Sequence, residues 1–170
     1  MKKTFGDVHW DITEKLMDQI SSQNRDTLIL WAKEYAEENY LPVYEKYGKE
    51  NLGEGLLISL KACMIELISV KAYKTILRDT RKAIQREKNP VALIALHSIT
   101  TACAVINLPS NALGFLFYGC ACKAYDELGT KAAEEDYQAY AQKEFAHAYA
   151  SLLEHSVEDE KDPVNIQWNC

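Results

Sequence analysis

Glu144 and His147 are the two residues of this sequence whose types and spacing come closest to a chemical site. The Glu-x-x-His spacing places a carboxylate and an imidazole on one face of a helix, as in di-iron bundle proteins. Those proteins need two such pairs and two further glutamates. No second pair exists, because an isoleucine and a leucine stand three residues before His97 and His155. The sequence therefore predicts neither a metal site nor a bound cofactor.

A cysteine nucleophile activated by His97 is the other chemistry that the residues would allow. It requires Cys103 or Cys120 near the imidazole and an asparagine to orient the ring. No family-type signature surrounds either cysteine, and small residues at a tight helix contact explain them equally well. We predict no catalytic residue and keep as the alternative an enzyme or small-ligand-binding protein with a pocket near the 107–111 turn. That pocket would be lined by His97, Asn107, Asn111 and Tyr118.

The elements that would position these residues are centred on an uncharged stretch. The 34 residues that begin at Asn89 contain no Asp, Glu, Lys or Arg, although such residues make up 26% of the chain. A soluble domain can leave so long a stretch uncharged only by burying it. Asn89 and Pro90 predict the start of one helix, Pro109 ends it near Ile106 and begins the next, and Gly129 closes that one. The sequence therefore predicts a buried helical hairpin, in which two glycines permit close packing.

The rest of the sequence predicts helices, because apolar residues recur at three- and four-residue steps and no strand-like alternation appears. The predicted helices lie within residues 1–22 and near 24–39, 42–47, 54–66, 70–88 and 130–156. We therefore predict an all-α, single-domain bundle of six to eight helices around the hairpin, covering residues 1–170 with tails at 1–8 and 157–170. An α-solenoid of stacked helix pairs remains an open alternative.

Composition disfavours several classes of function. The net charge of −6 and the pI near 5.3 argue against nucleic-acid binding, which requires a basic surface. Each arm of the hairpin offers about 15 residues against the roughly 20 that span a bilayer, so we predict no membrane insertion. Five cysteines, at positions 63, 103, 120, 122 and 170, without a secretory signal indicate reduced thiols and a cytoplasmic location.

Charge is distributed unevenly along the chain. Residues 71–88 carry seven basic and two acidic side chains, a net +5, which leaves −11 for the remainder. Five of the basic residues recur along one helical stripe: Lys71, Lys74, Arg78, Lys82 and Arg86. We interpret the stripe as a solvated face neutralised by acidic neighbours, with a contact to an acidic partner or an anion as the alternative. The densest acidic run, Glu158, Asp159 and Glu160, is the predicted partner-binding segment.

Several segments resemble a family of bacterial immunity proteins, the Imm-5 like group of polymorphic-toxin loci. The resemblance rests first on segments 107–114, 118–119 and 124–129, which read NLPSNALG, YG and AYDELG. Weaker matches lie at 41–45, 66–71 and 163–168, so the likeness covers about residues 25–170. Relatives often carry histidines where Asn107 and Asn111 stand. The resemblance implies a non-enzymatic helical protein that binds and neutralises a cognate toxin by occlusion. The acidic charge favours a basic toxin, and a homo-oligomer remains open.

Overall fold

The structure is a computed structural model that describes residues 1–168, so Cys170 lies outside the described residues. The described part consists of helices and turns and contains no strand. Eight α-helices follow one another: α1 (Asp11–Ser22), α2 (Arg25–Asn39), α3 (Leu41–Tyr47), α4 (Leu52–Met64), α5 (Val70–Ala83), α6 (Pro90–Ala102), α7 (Asn111–Leu128) and α8 (Glu134–His155). A single 3-10 turn (Ile84–Arg86) follows α5. The predicted all-α bundle of six to eight helices is confirmed.

Helices α6 and α7 form the predicted hairpin, and most of their residues are buried. The Ser98 hydroxyl donates to the Phe115 carbonyl oxygen across the pair at 2.8 Å. Helices α2 to α5 pack against α6, while α8 and α1 pack against α7. Because α1 also packs against α8, the chain closes on itself and does not form the open stack of an α-solenoid. Within residues 1–168 no helix combines the length and the apolar run that crossing a bilayer requires.

Side chains cap the starts of α6 and α5, at Asn89 as predicted and at Ser69. The Asn89 side chain accepts from the amides of Val91 and Ala92, and Ser69 accepts from the amide of Ala72. Gly129 has φ +74°, in the left-handed region, after the last residue of α7. These local signals set where α5 and α6 begin and where α7 ends.

Three helix ends differ from the prediction. Helix α5 ends at Ala83 rather than near 88, and the 3-10 turn follows it. Helix α6 ends at Ala102 rather than near Ile106, because tertiary hydrogen bonds satisfy the freed carbonyl groups. The Tyr73 hydroxyl donates to the Cys103 carbonyl at 2.8 Å, and the Asn111 side chain donates to the Ala104 carbonyl at 3.1 Å. Helix α8 begins at Glu134 rather than at 130. The Tyr137 hydroxyl holds the intervening loop by donating to the Gly129 carbonyl at 2.6 Å.

Parts of the two terminal segments that we expected as tails pack against the helices within residues 1–168. Phe5 is 2% exposed, stacks on Tyr137 and donates its amide to the Phe117 carbonyl at 3.1 Å. At the other end, the amide of Val164 donates to the Gln23 carbonyl, and the Trp168 indole donates to the Ser21 hydroxyl. Phe5, Val164 and Trp168 therefore fasten these segments to the body of the protein, while Val157, Glu158 and Asp159 remain exposed.

Candidate functional site

His97 and Tyr118, from the predicted pocket, lie together on the hairpin. Their rings stack with centroids 5.5 Å apart, one on α6 and one on α7, and both side chains are half-buried. Burial lowers the pKa of His97, and the positive charges of Lys3 and Arg81 lower it further. The imidazole is therefore held neutral and serves as a packing partner of the tyrosine.

Asn107 and Asn111 have separate surroundings. Asn111 closes the turn, because its side-chain amide donates a hydrogen bond to the Ala104 carbonyl. Asn107 is exposed and lines an open cleft of about 550 Å³ whose other walls come from α5 and the 3-10 turn that follows it. Neither His97 nor Tyr118 lines that cleft. The structure thus pairs two of the four predicted pocket residues and leaves the two asparagines apart from them.

Glu144 is the centre of a buried polar cluster that joins α2, α7 and α8. Its carboxylate is 4% exposed and accepts from the hydroxyls of Tyr35 and Tyr40 at 2.9 and 3.0 Å. Its second oxygen accepts from the Lys123 ammonium at 2.9 Å. The Tyr35 hydroxyl also lies 3.0 Å from Nδ1 of His147. Glu144 and His147 therefore lie on one face of α8, and the Tyr35 hydroxyl contacts both side chains.

The hydrogen bonds and the ion pair of this cluster hold α2, α7 and α8 together. Burial, then the charge of Glu144, raises the pKa of Tyr35 and of Tyr40 far above the ordinary value, so both remain hydroxyl donors. Both carboxylate oxygens of Glu144 have partners, which is the condition for a stable buried charge. Within residues 1–168 no three or more His, Cys, Asp or Glu side chains converge in a way that would hold a metal ion.

The cysteines of the described chain are buried thiols. Cys63, Cys103, Cys120 and Cys122 are all free. Burial raises the pKa of Cys103 to about 12 and that of Cys120 well above its usual value. A thiol becomes a nucleophile only as the thiolate, and these side chains stay protonated at neutral pH. Their environment thus disfavours the cysteine chemistry that the sequence left open.

The predicted partner-binding run divides into two parts. Glu158 and Asp159 are exposed, whereas Glu160 is half-buried against the start of α2. The Glu160 carboxylate accepts from the amide of Asn24 at 2.9 Å and from the hydroxyl of Thr27 at 2.7 Å. A carboxylate at a helix N-terminus is stabilised by the helix dipole. Glu160 therefore fastens the terminal segment, and the first two acidic residues face outward.

These two residues extend a larger acidic surface on α2 and α8. The two helices are joined by His155, whose Nε2 lies 2.9 Å from the Glu34 carboxylate. Burial lowers the pKa of His155, but the hydrogen bonds with Glu34 and the Ser151 carbonyl outweigh it and leave the pKa raised. We call the exposed side chains around this contact the acidic face: Leu30, Glu34, Leu153, Glu154, Val157, Glu158 and Asp159.

The basic stripe of α5 is exposed along its length. It comprises the five residues named above, and each of them is exposed. In the described part of the chain its one ion pair joins Arg78 to the adjacent Asp79 at 3.1 Å, with both side chains more than half exposed. The stripe is a solvated face, as we interpreted it, but four of its five charges have no ion-pair partner within residues 1–168.

An apolar surface lies beside the first turn of this stripe, and the sequence reading missed it. We call it the apolar corner; it consists of Ile58, Met64, Ile65, Leu67 and Val70. Leu67 is 74% exposed and Ile65 is 60% exposed, which is unusual for two apolar residues at one turn. Met64 follows Leu60 by four residues and Val70 precedes Tyr73 by three, so helical spacing alone would place both on the buried faces of α4 and α5.

Comparison with known proteins gives one positive finding. The family model described as "Imm-5 like putative immunity protein" matches residues 18–151, which is more than half of the chain. No curated protein and no solved structure matches the chain.

Proposed function

The chain belongs to the family of Imm-5 like putative immunity proteins, and on this premise we propose that it binds a bacterial toxin and neutralises it by occlusion. The observation that carries the proposal is the family match over residues 18–151. Occlusion of an active site needs about 800 Å² of contact on each partner, and it asks for no catalytic group in the protein that covers it. The buried thiols and the satisfied Glu144 cluster are compatible with such a role.

The acidic face is the surface that we assign to the toxin. It presents four exposed carboxylates on a chain whose net charge is −6, and it includes Glu158 and Asp159. A basic toxin would be attracted to this surface at long range, which raises the association rate at low salt. Three exposed apolar side chains, Leu30, Leu153 and Val157, lie among the carboxylates and supply area to bury.

Tyrosines are frequent anchors of protein contacts, but within the described residues of this chain none of them is freely exposed. All ten tyrosines lie in the described part of the chain, and each is buried or half-buried. Several of their hydroxyl groups are held internally, such as Tyr140 by Glu127 and Tyr125 by the Lys2 carbonyl. The aliphatic residues of the acidic face therefore take the anchoring role in this proposal. The free thiols support a cytoplasmic location, and there this protein would bind the toxin inside the producing cell.

Size-exclusion chromatography with the toxin encoded by the adjoining gene tests the proposal. We expect co-elution at low ionic strength and weakening as salt is raised. Reversing two charges of the acidic face, in Glu154→Lys with Glu158→Lys, should weaken binding by about tenfold or more. The control, Glu135→Lys with Asp136→Lys, makes the same change in net charge at the opposite end of α8, about 28 Å away along the helix from Glu154 to Glu135.

Measured at an ionic strength of about 0.1 M, where the Debye length is about 10 Å, the control pair should change the affinity by less than about threefold. Separate elution of the two wild-type proteins at low salt would contradict toxin binding. Equal weakening by both pairs would leave toxin binding in place and remove the acidic face from the contact.

A further inference from the structure

The apolar corner is built on a strained helix end. The amides of Glu66 and Leu67 donate to the carbonyls of Cys63 and Ala62 at 3.1 and 2.8 Å, which is a Schellman ending of α4. The left-handed position of that motif usually holds glycine, but here it holds Glu66 with φ +59°. The motif is frequently accompanied by packing of the following apolar residue against the helix. Leu67 instead projects into solvent, so the strained backbone conformation of Glu66 directs the apolar Leu67 side chain outward.

Positive charge lies directly beside this corner. Lys71 and Lys74 follow Val70 in the first turn of α5, and the rest of the basic stripe continues along the same helix. An exposed apolar cluster flanked by unpaired cations fits a surface of the opposite sign that also carries exposed apolar side chains. The acidic face of this chain has that composition, with three aliphatic residues among four carboxylates.

One molecule cannot bring its own two surfaces together. Helix α5 packs against α4 and α6, whereas α8 packs against α7, α1 and α2. We infer that the apolar corner and basic stripe of one copy bind the acidic face of a second copy, in a head-to-tail contact. A symmetric pairing of two corners is disfavoured because it would place the two basic stripes against each other. Head-to-tail contacts generate rings or short chains of subunits.

An anionic membrane is the other surface with suitable charge, and the structure favours protein over lipid. The Glu66 carboxylate stands between the two most exposed apolar side chains and would have to be desolvated on insertion. The net charge of −6 also repels an anionic bilayer. The acidic face is shared with the proposed toxin contact, but self-association needs no toxin, so its test is independent of the proposed function.

Two variants with one blocked surface each give the test. Leu67→Ser with Val70→Ser blocks the corner, and Leu153→Ser with Val157→Ser blocks the acidic face. Because all four side chains are exposed, both variants should retain the fold, which circular dichroism will verify. Sedimentation velocity should show wild-type protein heavier than 19.3 kDa as its concentration rises. The mass should fall as ionic strength increases from about 0.01 M to about 0.1 M, where the Debye length shortens from about 30 to about 10 Å.

Each variant alone should sediment at 19.3 kDa, and a mixture of the two should form a species of twice that mass, because each retains the surface that the other lacks. Wild-type protein that stays at 19.3 kDa throughout would overturn the inference. So would self-association that survives in the acidic-face variant, since that result requires corner-to-corner pairing. Binding of monomeric wild type, but not of the corner variant, to phosphatidylserine vesicles would assign the corner to a membrane and overturn it as well.

Discussion

Replacing Gly119 by alanine should disrupt the packing between α7 and the end of α2. The phenol end of the Tyr40 ring lies against the glycine, and a Cβ atom added there would be 2.5 Å from Tyr40 Cε1 and closer still to Cζ. Relaxed carbon–carbon contacts are about 3.5–4.0 Å, so the ring would have to move by more than about 1 Å. Tyr40 is fully buried between Tyr35 and Phe115, which leaves it no free space to enter.

The expected cost follows from these contacts. Overpacking of a core costs about 1–3 kcal/mol. A displaced Tyr40 hydroxyl also weakens its hydrogen bond to the Glu144 carboxylate, a contact of a kind worth about 1.5–3 kcal/mol. Part of this cost is offset, because alanine has a helix propensity more favourable than that of glycine by about 1 kcal/mol. The free energy of unfolding should therefore fall by about 3 kcal/mol, which for a chain of this size lowers Tm by about 6–12 °C.

The matched control is Gly114→Ala on the same helix. Its added Cβ would meet only the Thr101 methyl group at 3.6 Å, an ordinary contact, so the helix propensity gain should stabilise the protein by about 0.5–1 kcal/mol. Urea titrations followed by circular dichroism, with equal m values, would measure both changes. If the two variants shifted stability in the same direction, the close approach of Tyr40 to Gly119 would not be what holds this junction.

Three further substitutions test the cluster, the acidic face and the hairpin turn. Glu144→Gln should lower the free energy of unfolding by about 2–3 kcal/mol, because an amide group would face the Lys123 ammonium. The control Glu135→Gln, at an exposed position, should lower it by less than about 0.5 kcal/mol. Similar costs for the two variants would contradict the buried ion pair. His155→Gln should be less stable than wild type below pH of about 6.5 and equal to it once the pH exceeds the raised folded pKa, since protonated His155 is favoured in the folded state; a gap in urea midpoint that widens with pH would refute the sign. Asn111→Ala should lower Tm by about 2–4 °C through the lost hydrogen bond to the turn and leave toxin affinity unchanged, whereas loss of binding with an intact fold would favour a ligand site there.

The sequence predicted those parts of the fold that depend on local chemistry. Asn89, Pro90 and Gly129 mark helix boundaries by side-chain capping and backbone conformation, and each marks a boundary in the structure. The uncharged run identified the buried hairpin because charge is costly to bury. Both signals act within a few residues or along one stretch of chain, and a single sequence displays them directly.

The parts that the sequence missed depend on contacts between distant residues. Helix α6 stops at Ala102 because hydrogen bonds from Tyr73 and Asn111 satisfy the carbonyls that follow it. Glu160 looks like part of a solvated acidic run, yet its partners are 136 and 133 residues away at the start of α2. No periodicity within either segment reveals such partners.

The candidate surfaces show the same division. The basic stripe was visible as spacing on one helix, but whether acidic neighbours neutralise it depends on how α5 is placed in the bundle. Glu66 in a left-handed conformation turns Leu67 outward, and no sequence rule predicts a glutamate at a position that favours glycine.

Titration of the toxin's own activity with this protein tests occlusion most directly. Occlusion predicts that activity falls in proportion to the protein added and reaches its minimum at one equivalent, and that the acidic-face variant Glu154→Lys with Glu158→Lys requires a higher concentration to reach the same inhibition. A toxin that loses its activity progressively with time, at far less than one equivalent, would instead show turnover and would contradict an account in which this chain acts by binding.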